Sequence, residues 1–381
     1  MKIAHVITRM ILGGAQQNTL DSVRGLQASG RYDVTLITGP ELGPEGDLLA
    51  FCPEPKPRIL SVPSLKRNIS PWHDGMAFLE LFKIFTQERF DLVHTHSSKA
   101  GILARLAARL AGVKRVVHTV HGFAVGPYQR SFSNGFYGAL ERLAAHRTDV
   151  LMCVSESLLA EAKNLDLKPG KMVWVPSGFE WEHFENARGR RTQVRVELGL
   201  SSDDIVITKV ARFFPLKGHE ELFGVMDPLL EGFPQVKFLL VGGGTLQSHF
   251  EDLVVARGWT SRVLFTGLVP PGRVPDLLAA SDVLVHTSLR EGLARVIPQA
   301  FACSLPVVSF DVDGAGDLVK NGVTGFLVPR ADRQMLKEAL YRLVQDAVLR
   351  QEMGKRGHDL AIDSYDLKSM VVALDRIYQG V

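Results

Sequence analysis

Two cations lie close together in a loop in the second half of the chain. Arg212 and Lys217 follow the apolar run 205–210, on a segment bounded by Pro215 and Gly218. A guanidinium offers a planar fork of donors and an ammonium offers a compact charge, so together they suit a diphosphate. Two unrelated surface cations are the alternative, but the position directly after a predicted strand favours an anion site.

A carboxylate and a glycine-rich turn follow two later apolar runs. Glu291 comes after residues 283–287, and the turn 314–316 comes after residues 306–310. Gln299 lies on the helix predicted between them. Units of strand, helix and strand bind ligands where strand carboxyl ends meet helix N-termini. Because backbone N–H groups of such a turn can hold an oxyanion, these residues form a second candidate region.

The first half carries a glycine pair and a histidine in equivalent places. Gly13 and Gly14 follow the first apolar run, where a backbone without Cβ can approach a phosphate or sugar closely. A tight turn alone would use the same residues. His121 ends the apolar run 115–120 directly before Gly122, which makes it a candidate ligand contact at the end of a strand.

The sequence gives little indication of a metal site. His94 and His96 share one face of a predicted strand, and two histidines can ligate a metal. No carboxylate completes a facial set, and hydrogen bonding is the simpler interpretation. We therefore expect no bound metal.

Apolar runs alternate with amphipathic helical stretches, which predicts parallel sheets covered by helices. The predicted strands are 2–8, 32–38, 58–62, 91–96, 115–120, 150–154, 205–210, 236–241, 263–266, 283–287 and 306–310. Residues 178–204, which carry aromatic and basic side chains, are the best linker candidate. The predicted domains are residues 1–184 with a returning helix at 366–381, and residues 185–365.

Length and charge restrict the function classes. The chain has 381 residues, a formal net charge of +3, and 46% hydrophobic and 22% charged residues. This length suits two domains, and the charge gives no basis for a nucleic acid partner. Three scattered cysteines predict no disulfide framework. No apolar run suits a signal peptide or the roughly 20 residues of a membrane span, so we expect a cytoplasmic protein.

The segment 287–329 resembles glycosyltransferase family 4, which has the GT-B fold. It contains a Glu-Gly pair, a Pro-Val-Val strand, a glycine-rich loop and an Asn-Gly-Val-Thr-Gly-Phe-Leu-Val-Pro sequence. The family has a second Glu where this chain has Gln299. The resemblance implies an α/β protein of two Rossmann-like parallel-sheet domains facing a cleft, with a C-terminal helix that crosses back to the first domain.

The resemblance also implies roles for the candidate residues. Arg212 and Lys217 would neutralise the diphosphate leaving group, Glu291 would hold the donor sugar, and Gln299 would meet the ribose. His121 would reach the transferred sugar, so the expected catalytic residues are His121, Glu291, Arg212 and Lys217. The expected donor-binding residues are Gly13, Gly14, Arg212, Lys217, Gly243, Leu268, Gly292, Leu293, Ala294 and Gln299.

The expected activity is retaining transfer of a hexosyl or N-acetylhexosaminyl group from a UDP-sugar, without metal or other cofactor. The expected acceptor is a glycan or a lipid-linked molecule of surface polysaccharide synthesis. Asp311 and Asp313 form an Asp-X-Asp pattern that binds metal in another glycosyltransferase fold, and we interpret it here as coincidental. A catalytically weak scaffold that binds nucleotide sugars is the alternative, because of Gln299. A sugar phosphorylase shares the fold but needs a cofactor-lysine context that is not evident.

One helix could provide contact with the inner face of a membrane. Its predicted span, 100–112, carries leucines on one side and basic residues nearby. The cluster comprises Lys99, Arg105, Arg109, Lys114 and Arg115, with Phe132, Phe136 and Tyr137 later in the sequence. Such a mixture suits an anionic bilayer, and a packed helix with a solvated basic face is the alternative.

Overall fold

The computed structural model of the chain describes residues 1–40, 42–123 and 131–380. The chain divides into two compact units, Met1–Phe179 with Asp366–Val381, and Glu180–Tyr365. The boundary expected at residue 184 falls inside a helix, Trp181–Ala187. The aromatic residues that suggested a linker, Trp181 and Phe184, are instead buried in this helix.

The first unit is built on a parallel sheet. Its strands are β1 (Lys2–Ile7), β2 (Asp33–Thr38), β3 (Arg58–Ser61), β4 (Leu92–His96), β5 (Arg115–Val120), β6 (Val150–Cys153) and β7 (Lys171–Trp174). Within the described residues the sheet has seven strands in the order β3-β2-β1-β4-β5-β6-β7. Strand β7 was not predicted because it is short and only half buried.

The helices of this unit cover both faces of the sheet. They are α1 (Gly14–Ala28), α2 (Pro71–Glu88), α3 (Ser98–Leu110), α4 (Ser131–Ala145) and α5 (Glu156–Asn164). Buried apolar residues point to both faces of the central strands, as is usual in a parallel sheet. One face packs under α1, and the other packs under α2 and α3.

The second unit has the same strand order. Its strands are β8 (Ile205–Val210), β9 (Val236–Val241), β10 (Val263–Gly267), β11 (Val283–His286), β12 (Val307–Phe310) and β13 (Gly325–Val328). Within the described residues the order is β10-β9-β8-β11-β12-β13. Strands β9 and β10 lie on one side of β8, and β11 to β13 lie on the other, so the strand order reverses between β8 and β11. Ligands of such sheets bind at the carboxyl ends of the strands at that reversal point.

The helices of the second unit surround this sheet. They are α6 (Trp181–Ala187), α7 (Arg191–Glu197), α8 (His219–Gly232), α9 (Gln247–Ala256), α10 (Val274–Ala279), α11 (Val296–Ala302), α12 (Ala315–Leu318), α13 (Arg333–Gln345) and α14 (Ala347–Tyr365). The main core of this unit lies among α8, α9, α13 and the central strands.

A last helix, α15 (Leu367–Gln379), belongs to the first unit, as the GT-B resemblance implies. The Leu367 N–H donates to the Phe179 carbonyl at 2.8 Å. Met370, Leu374 and Tyr378 are buried in the core that also contains α1. A Cβ at Gly25 of α1 would lie 2.4 Å from Val371 Cγ2, so glycine permits the close approach of α1 and α15.

Helix α3 does not have the expected leucine face or basic face. Its buried side consists mainly of alanines, whereas Leu110 is 69% exposed. Arg105 is completely buried and donates to Glu141 Oε1 at 2.7 Å. Lys99 is paired with Asp74, and Arg109 with Asp149. The side chain of Phe132 lies outside the described residues.

Candidate functional site

The site in the second unit is centred on an ion pair between two loops. Lys217 lies in the loop after β8, and Glu291 lies in the loop after β11. Lys217 Nζ is 2.5 Å from Glu291 Oε1, and each side chain retains 20% exposure. From sequence, these two residues were expected to contact different parts of a ligand. The structure brings them together at the reversal point of the sheet.

The Glu291 carboxyl is ionised at neutral pH. Burial alone would raise its pKa, but the Lys217 charge and the nearby His286 ring outweigh this effect and hold the pKa well below its usual range. His286 Nε2 lies 3.6 Å from Glu291 Oε1, and His286 Nδ1 lies 3.3 Å from Ser309 Oγ. Burial lowers the pKa of His286 itself, so Lys217 is the main counter-charge.

Backbone contacts hold the loops around this pair. The Glu291 N–H donates to the Asp313 carboxylate, and the Leu289 N–H donates to the Leu216 carbonyl at 2.8 Å. Asp313 has a φ of 45°, in the left-handed region, so its loop is held in an uncommon conformation. From sequence, the pattern of Asp311 and Asp313 was interpreted as a coincidental match to a metal-binding motif. In the structure Asp313 positions the backbone of Glu291.

A buried lysine that was not singled out from sequence supports the same loops. Lys209 of β8 is 1% exposed, and its Nζ donates to Thr287 Oγ1 at 2.8 Å. Thr287 Oγ1 in turn donates to the Gly218 carbonyl at 2.5 Å. Burial, assisted by the Lys217 charge, lowers the pKa of Lys209 to about 7. The available signal was a single lysine inside an otherwise apolar strand.

Glycine is required at position 218. Its φ is 65°, and a Cβ there would lie 1.7 Å from the Thr287 carbonyl oxygen. This close approach places the start of α8 against the end of β11. Arg212, the other predicted cation, lies in the same loop, with its Cζ 5.2 Å from the centre of the Phe214 ring.

The structure also brings together two residues predicted to contact the nucleotide. Gly243 follows β9 and Leu268 follows β10, and a Cβ at Gly243 would lie 3.3 Å from the Leu268 Cβ. The Phe213 N–H donates to the Gly243 carbonyl at 2.9 Å. The loops after β8, β9 and β10 therefore lie side by side, and Leu268 is 44% exposed.

The remaining predicted residues of this unit lead into α11. Gly292, Leu293 and Ala294 connect Glu291 to that helix, and the Ile297 N–H donates to the Ala294 carbonyl at 2.9 Å. Gln299 lies on α11 and is partly exposed. Within the described part of the chain, the Gln299 side chain makes no hydrogen bond. Its proposed role toward ribose stays a prediction.

The predicted glycines of the first unit lie at the end of β1. Gly13 is the N-cap of α1, which begins at Gly14, and Gly13 is half-buried whereas Gly14 is exposed. A Cβ at Gly13 would lie 2.7 Å from Gln16 Oε1. The φ of Gly13 is −176°, an extended conformation open to any residue, and the contacted atom ends a flexible side chain, so the turn by itself does not require glycine. A ligand role for the pair stays a prediction.

His121 ends a row of histidines in the first unit. His5 pairs with His94 in the sheet register, and alternation along β4 and β5 places His96 and His121 on the same face. His5 Nδ1 lies 3.0 Å from His96 Nε2, and His96 Nδ1 lies 3.1 Å from His121 Nε2. His5 was not singled out in the sequence, because its proximity depends on the pairing of β1 with β4.

Three of these rings are close enough to be considered as metal ligands. One ring nitrogen each of His5, His94 and His96 lies within 4.8 Å of the others, and all three rings are buried. Burial lowers the pKa of His5 to about 3 and holds the pKa values of His94 and His96 well below their usual range. The rings already share hydrogen bonds, so the expectation of no metal stays a prediction.

Two family models cover most of the chain. Residues 13–178 match the glycosyl transferase 4-like domain, and residues 190–359 match glycosyl transferases group 1. The chain belongs to glycosyltransferase family 4. This family 4 glycosyltransferase is also 34% identical over 382 residues to an Escherichia coli enzyme, UDP-Gal:alpha-D-GlcNAc-diphosphoundecaprenol alpha-1,3-galactosyltransferase. The match spans 99% of this chain and 96% of the relative.

Solved structures place the family 4 chain in the GT-B fold. Anabaena HepE in complex with UDP and glucose matches with a TM-score of 0.83 and 21% identity, over 100% of both chains. WaaG, a glycosyltransferase involved in lipopolysaccharide biosynthesis, matches with a TM-score of 0.78 and 20% identity, also over 100% of both chains. At these identities the likeness concerns the fold.

Proposed function

We propose that this glycosyltransferase transfers a hexosyl or N-acetylhexosaminyl group from a UDP-sugar to a lipid-linked or glycan acceptor in polysaccharide synthesis. The observation that carries the proposal is the Lys217–Glu291 pair at the reversal point of the second sheet. The names of two relatives support the donor and acceptor classes, since one uses UDP-Gal and a diphosphoundecaprenol-linked sugar, and HepE holds UDP and glucose.

The leaving diphosphate is the place where charge develops during transfer. We assign its neutralisation to Arg212 and Lys217, since fixed cations aimed at developing charge stabilise a transition state. A lysine ammonium has three donors, so Lys217 can bond Glu291 and a phosphate oxygen together. These two cations replace a metal in the proposed reaction.

Glu291 and the turn 314–316 orient the donor sugar in this proposal, and His121 contacts the transferred sugar. The bond between the anomeric carbon and the diphosphate oxygen breaks. A bond to the acceptor oxygen forms on the same face, which retains the anomeric configuration. The acceptor's proton passes to the leaving phosphate, so the reaction requires no protein nucleophile.

A donor screen followed by a product assay tests the proposal. Thermal shift with UDP-galactose, UDP-glucose, UDP-N-acetylglucosamine and GDP-mannose should identify UDP-linked donors. The product with an N-acetylhexosaminyl polyprenol diphosphate should carry an α-linked sugar by NMR and should form in the presence of EDTA. Donor binding without turnover on any acceptor would support the scaffold alternative instead.

Gln299 should support donor binding without a charge. An amide can bond both ribose hydroxyls but lacks a carboxylate's charge, which is worth about 1–2 kcal/mol in a dry site. Gln299→Glu should leave donor KM equal or lower, and Gln299→Ala should raise it about tenfold with little change in thermal stability. Gln334→Ala, an exposed glutamine bonded to Glu338 in α13, is the control.

The Gln299 variants also separate the two functions. Wild-type protein that binds no nucleotide at millimolar concentration, while Gln299→Glu does bind it, would identify a degenerate scaffold and refute the transfer activity.

A membrane contact is proposed on α2 in place of α3. Among the described helices, none has the length and apolar character to cross a membrane. Trp72, Met76 and Leu79 lie on one side of α2 and are 76%, 39% and 57% exposed. Lys83 continues the same side, and Arg67 precedes the helix, both exposed. Apolar side chains among cations suit an anionic lipid surface.

Flotation with anionic liposomes at low salt tests this surface. The wild-type enzyme should float, and Trp72→Ser/Leu79→Ser should reduce the bound fraction severalfold because apolar insertion is lost. Val348→Ser, an exposed valine on α14, should leave the bound fraction unchanged. Wild-type protein that stays in the dense fraction would refute the membrane proposal and leave the transfer activity intact.

A further inference from the structure

The row of histidines is part of a longer hydrogen-bonded chain that begins in the core. His94 Nε2 lies 2.7 Å from Thr119 Oγ1, and His94 Nδ1 lies 2.5 Å from the Tyr378 hydroxyl. The same hydroxyl lies 3.1 Å from His5 Nε2. Tyr378 is on α15 and is 2% exposed, so the C-terminal helix supplies one link of a chain that is otherwise made by the sheet.

The hydrogen-bonded chain of side chains continues from His5 to the carboxyl end of the sheet. His5 Nδ1 meets His96 Nε2 at 3.0 Å, and His96 Nδ1 meets His121 Nε2 at 3.1 Å. His5 and His96 are 0% exposed, whereas His121 is only partly buried. The hydrogen-bonded chain of side chains therefore connects the buried core to His121, the residue proposed to contact the sugar.

The geometry requires neutral rings. His5, His94 and His96 each use both ring nitrogens within the chain. A neutral imidazole has one N–H and one lone pair, so each ring can accept on one side and donate on the other. A charged ring would present two N–H groups and break the alignment. Desolvation of the buried rings acts in the same direction.

The hydrogen bonds of this chain of side chains can all run in one of two directions, and Thr119 at its inner end selects between these two alignments. In one, the Thr119 hydroxyl donates to His94 Nε2, and every later N–H points toward His121. In the other, Thr119 accepts there, and its hydrogen is left for Met152 Sδ at 4.0 Å, its other hydrogen-bond contact among the described residues. A thioether is a weak acceptor, so the first alignment is the more stable.

We infer that Thr119 and Tyr378 are positioning residues that fix His121 as its Nδ1–H tautomer. In this alignment His96 Nδ1–H donates to His121 Nε2, which occupies the only lone pair of a neutral His121 ring. His121 then meets the transferred sugar as a hydrogen-bond donor through Nδ1–H, and it does not act as a general base. The role toward the sugar rests on the proposed function, whereas the tautomer does not.

Ring-nitrogen NMR of the free, histidine-labelled enzyme tests the tautomer without any substrate. Single His→Gln variants assign the signals. We expect the Nδ1–H tautomer at His5, His94, His96 and His121. An Nε2–H tautomer at His121 in the wild type would overturn the inference. Signals of metal-ligated nitrogen, with zinc found in the purified protein, would also overturn it because a metal would occupy the lone pairs.

Variants at the inner end test the positioning role. Thr119→Val keeps the side-chain shape but removes the donor, so His121 should become a mixture of tautomers, and Thr119→Ser should restore the single form. Tyr378→Phe should also give a mixture. Tyr32→Phe is the matched control. The Tyr32 hydroxyl donates to Asp375 of α15, the helix that carries Tyr378, but it takes no part in the hydrogen-bonded row of side chains. A single, unchanged His121 tautomer in Thr119→Val would refute the inference.

Kinetics distinguish this inference from the proposed function. With the tautomers about equally populated, kcat/KM for the donor should fall about twofold in Thr119→Val and Tyr378→Phe, because only half of the enzyme carries the tautomer that meets the sugar. The kcat/KM of Thr119→Ser and Tyr32→Phe should equal the wild-type value. Expected tautomers in an enzyme that transfers no sugar would refute the proposed function and leave the tautomer assignment standing. A twofold loss in Tyr32→Phe as well would indicate a merely structural effect and refute the positioning role.

Discussion

Lys217→Ala should lower kcat by about a hundredfold and weaken UDP binding at least tenfold. A charge-assisted hydrogen bond is worth about 1.5–3 kcal/mol, which is roughly a ten- to hundredfold change. Lys217 is placed at the upper end of this range because its removal also leaves Glu291 without its main counter-charge. The pKa of Glu291 should then rise, since burial is no longer opposed by the lysine.

Arg212→Ala should reduce UDP affinity and turnover by roughly ten- to a hundredfold through the loss of a diphosphate contact. Lys237→Ala is the matched control for both variants. Its ammonium is paired with Asp204 at 3.1 Å in the same unit and is 18% exposed, close to the 20% of Lys217. Steady-state kinetics and calorimetric titration with UDP provide the measurements. Unchanged UDP binding in both Arg212→Ala and Lys217→Ala would place the diphosphate elsewhere.

A double-mutant cycle isolates the Lys217–Glu291 contact. Groups in direct contact give non-additive effects, so Lys217→Ala combined with Glu291→Gln should lose less activity than the product of the single losses. The fully neutral pair no longer leaves a buried carboxylate without a partner. Additive losses would mean that the two residues act independently in catalysis, despite their 2.5 Å separation.

Acidification from pH 7.5 to 5 should unfold the first unit. The pKa values of four buried histidines of this unit are lowered, chiefly by burial; they are His5, His94, His96 and His118. Their folded pKa values lie below the unfolded value of 6.5, so the unfolded state binds more protons below that pH. Their contribution to stability is therefore present above pH 6.5 and is lost progressively as the pH falls.

The expected size of this effect is large compared with the stability of a domain. Each fully titrating group costs about 1.4 kcal/mol per pH unit, and four together cost roughly 5–6 kcal/mol per pH unit. Native domains are stable by about 5–15 kcal/mol. Carboxylates titrate mostly below this window. We therefore expect unfolding of the first unit in urea at pH 7.5, 6.5 and 5.5, followed by hydrogen exchange, to show a slope that approaches four protons. The slope for the second unit should approach two, because burial also lowers the pKa values of His219 and His286.

Two substitutions at one ring separate proton binding from packing. His118 Nδ1 bonds Thr95 Oγ1 at 2.8 Å, and a Cβ at Gly101 would lie 2.5 Å from the ring, so the site is tightly packed. His118→Gln should reduce the slope with pH by about one proton. Thr95→Val should lower stability but keep the wild-type slope. A wild-type slope below one proton would show that the buried rings are protonated in the folded state.

The strands and the family pattern could be predicted from sequence because both are local. Apolar runs of strand length, followed by glycine-bounded turns, predicted the central strands of both sheets, and the 287–329 pattern indicated the GT-B fold. β7 and β13 were missed as strands. β7 directly follows Pro169-Gly170 and β13 begins at Gly325, so turn residues obscured both short apolar runs.

The packing of α3 could not be predicted from its own periodicity. Leucines at 103, 106 and 110 suggested an apolar face, yet the helix buries alanines, and Arg105 lies in the interior with Glu141. The burial of Arg105 follows from a partner on α4 that supplies a carboxylate. Nothing within the span of α3 indicates that partner.

The sequence by itself determined which residues stand at the carboxyl ends of strands: Arg212, Lys217, Glu291, Gly243 and His121. Only the tertiary structure decided which of them meet. Lys217 and Glu291 are 74 positions apart, and Tyr378 and His5 are 373 apart. Such contacts depend on strand order, on register and on where a returning helix packs. Those features are set by the whole core, because side chains far apart in sequence share a face only after the strands between them have paired.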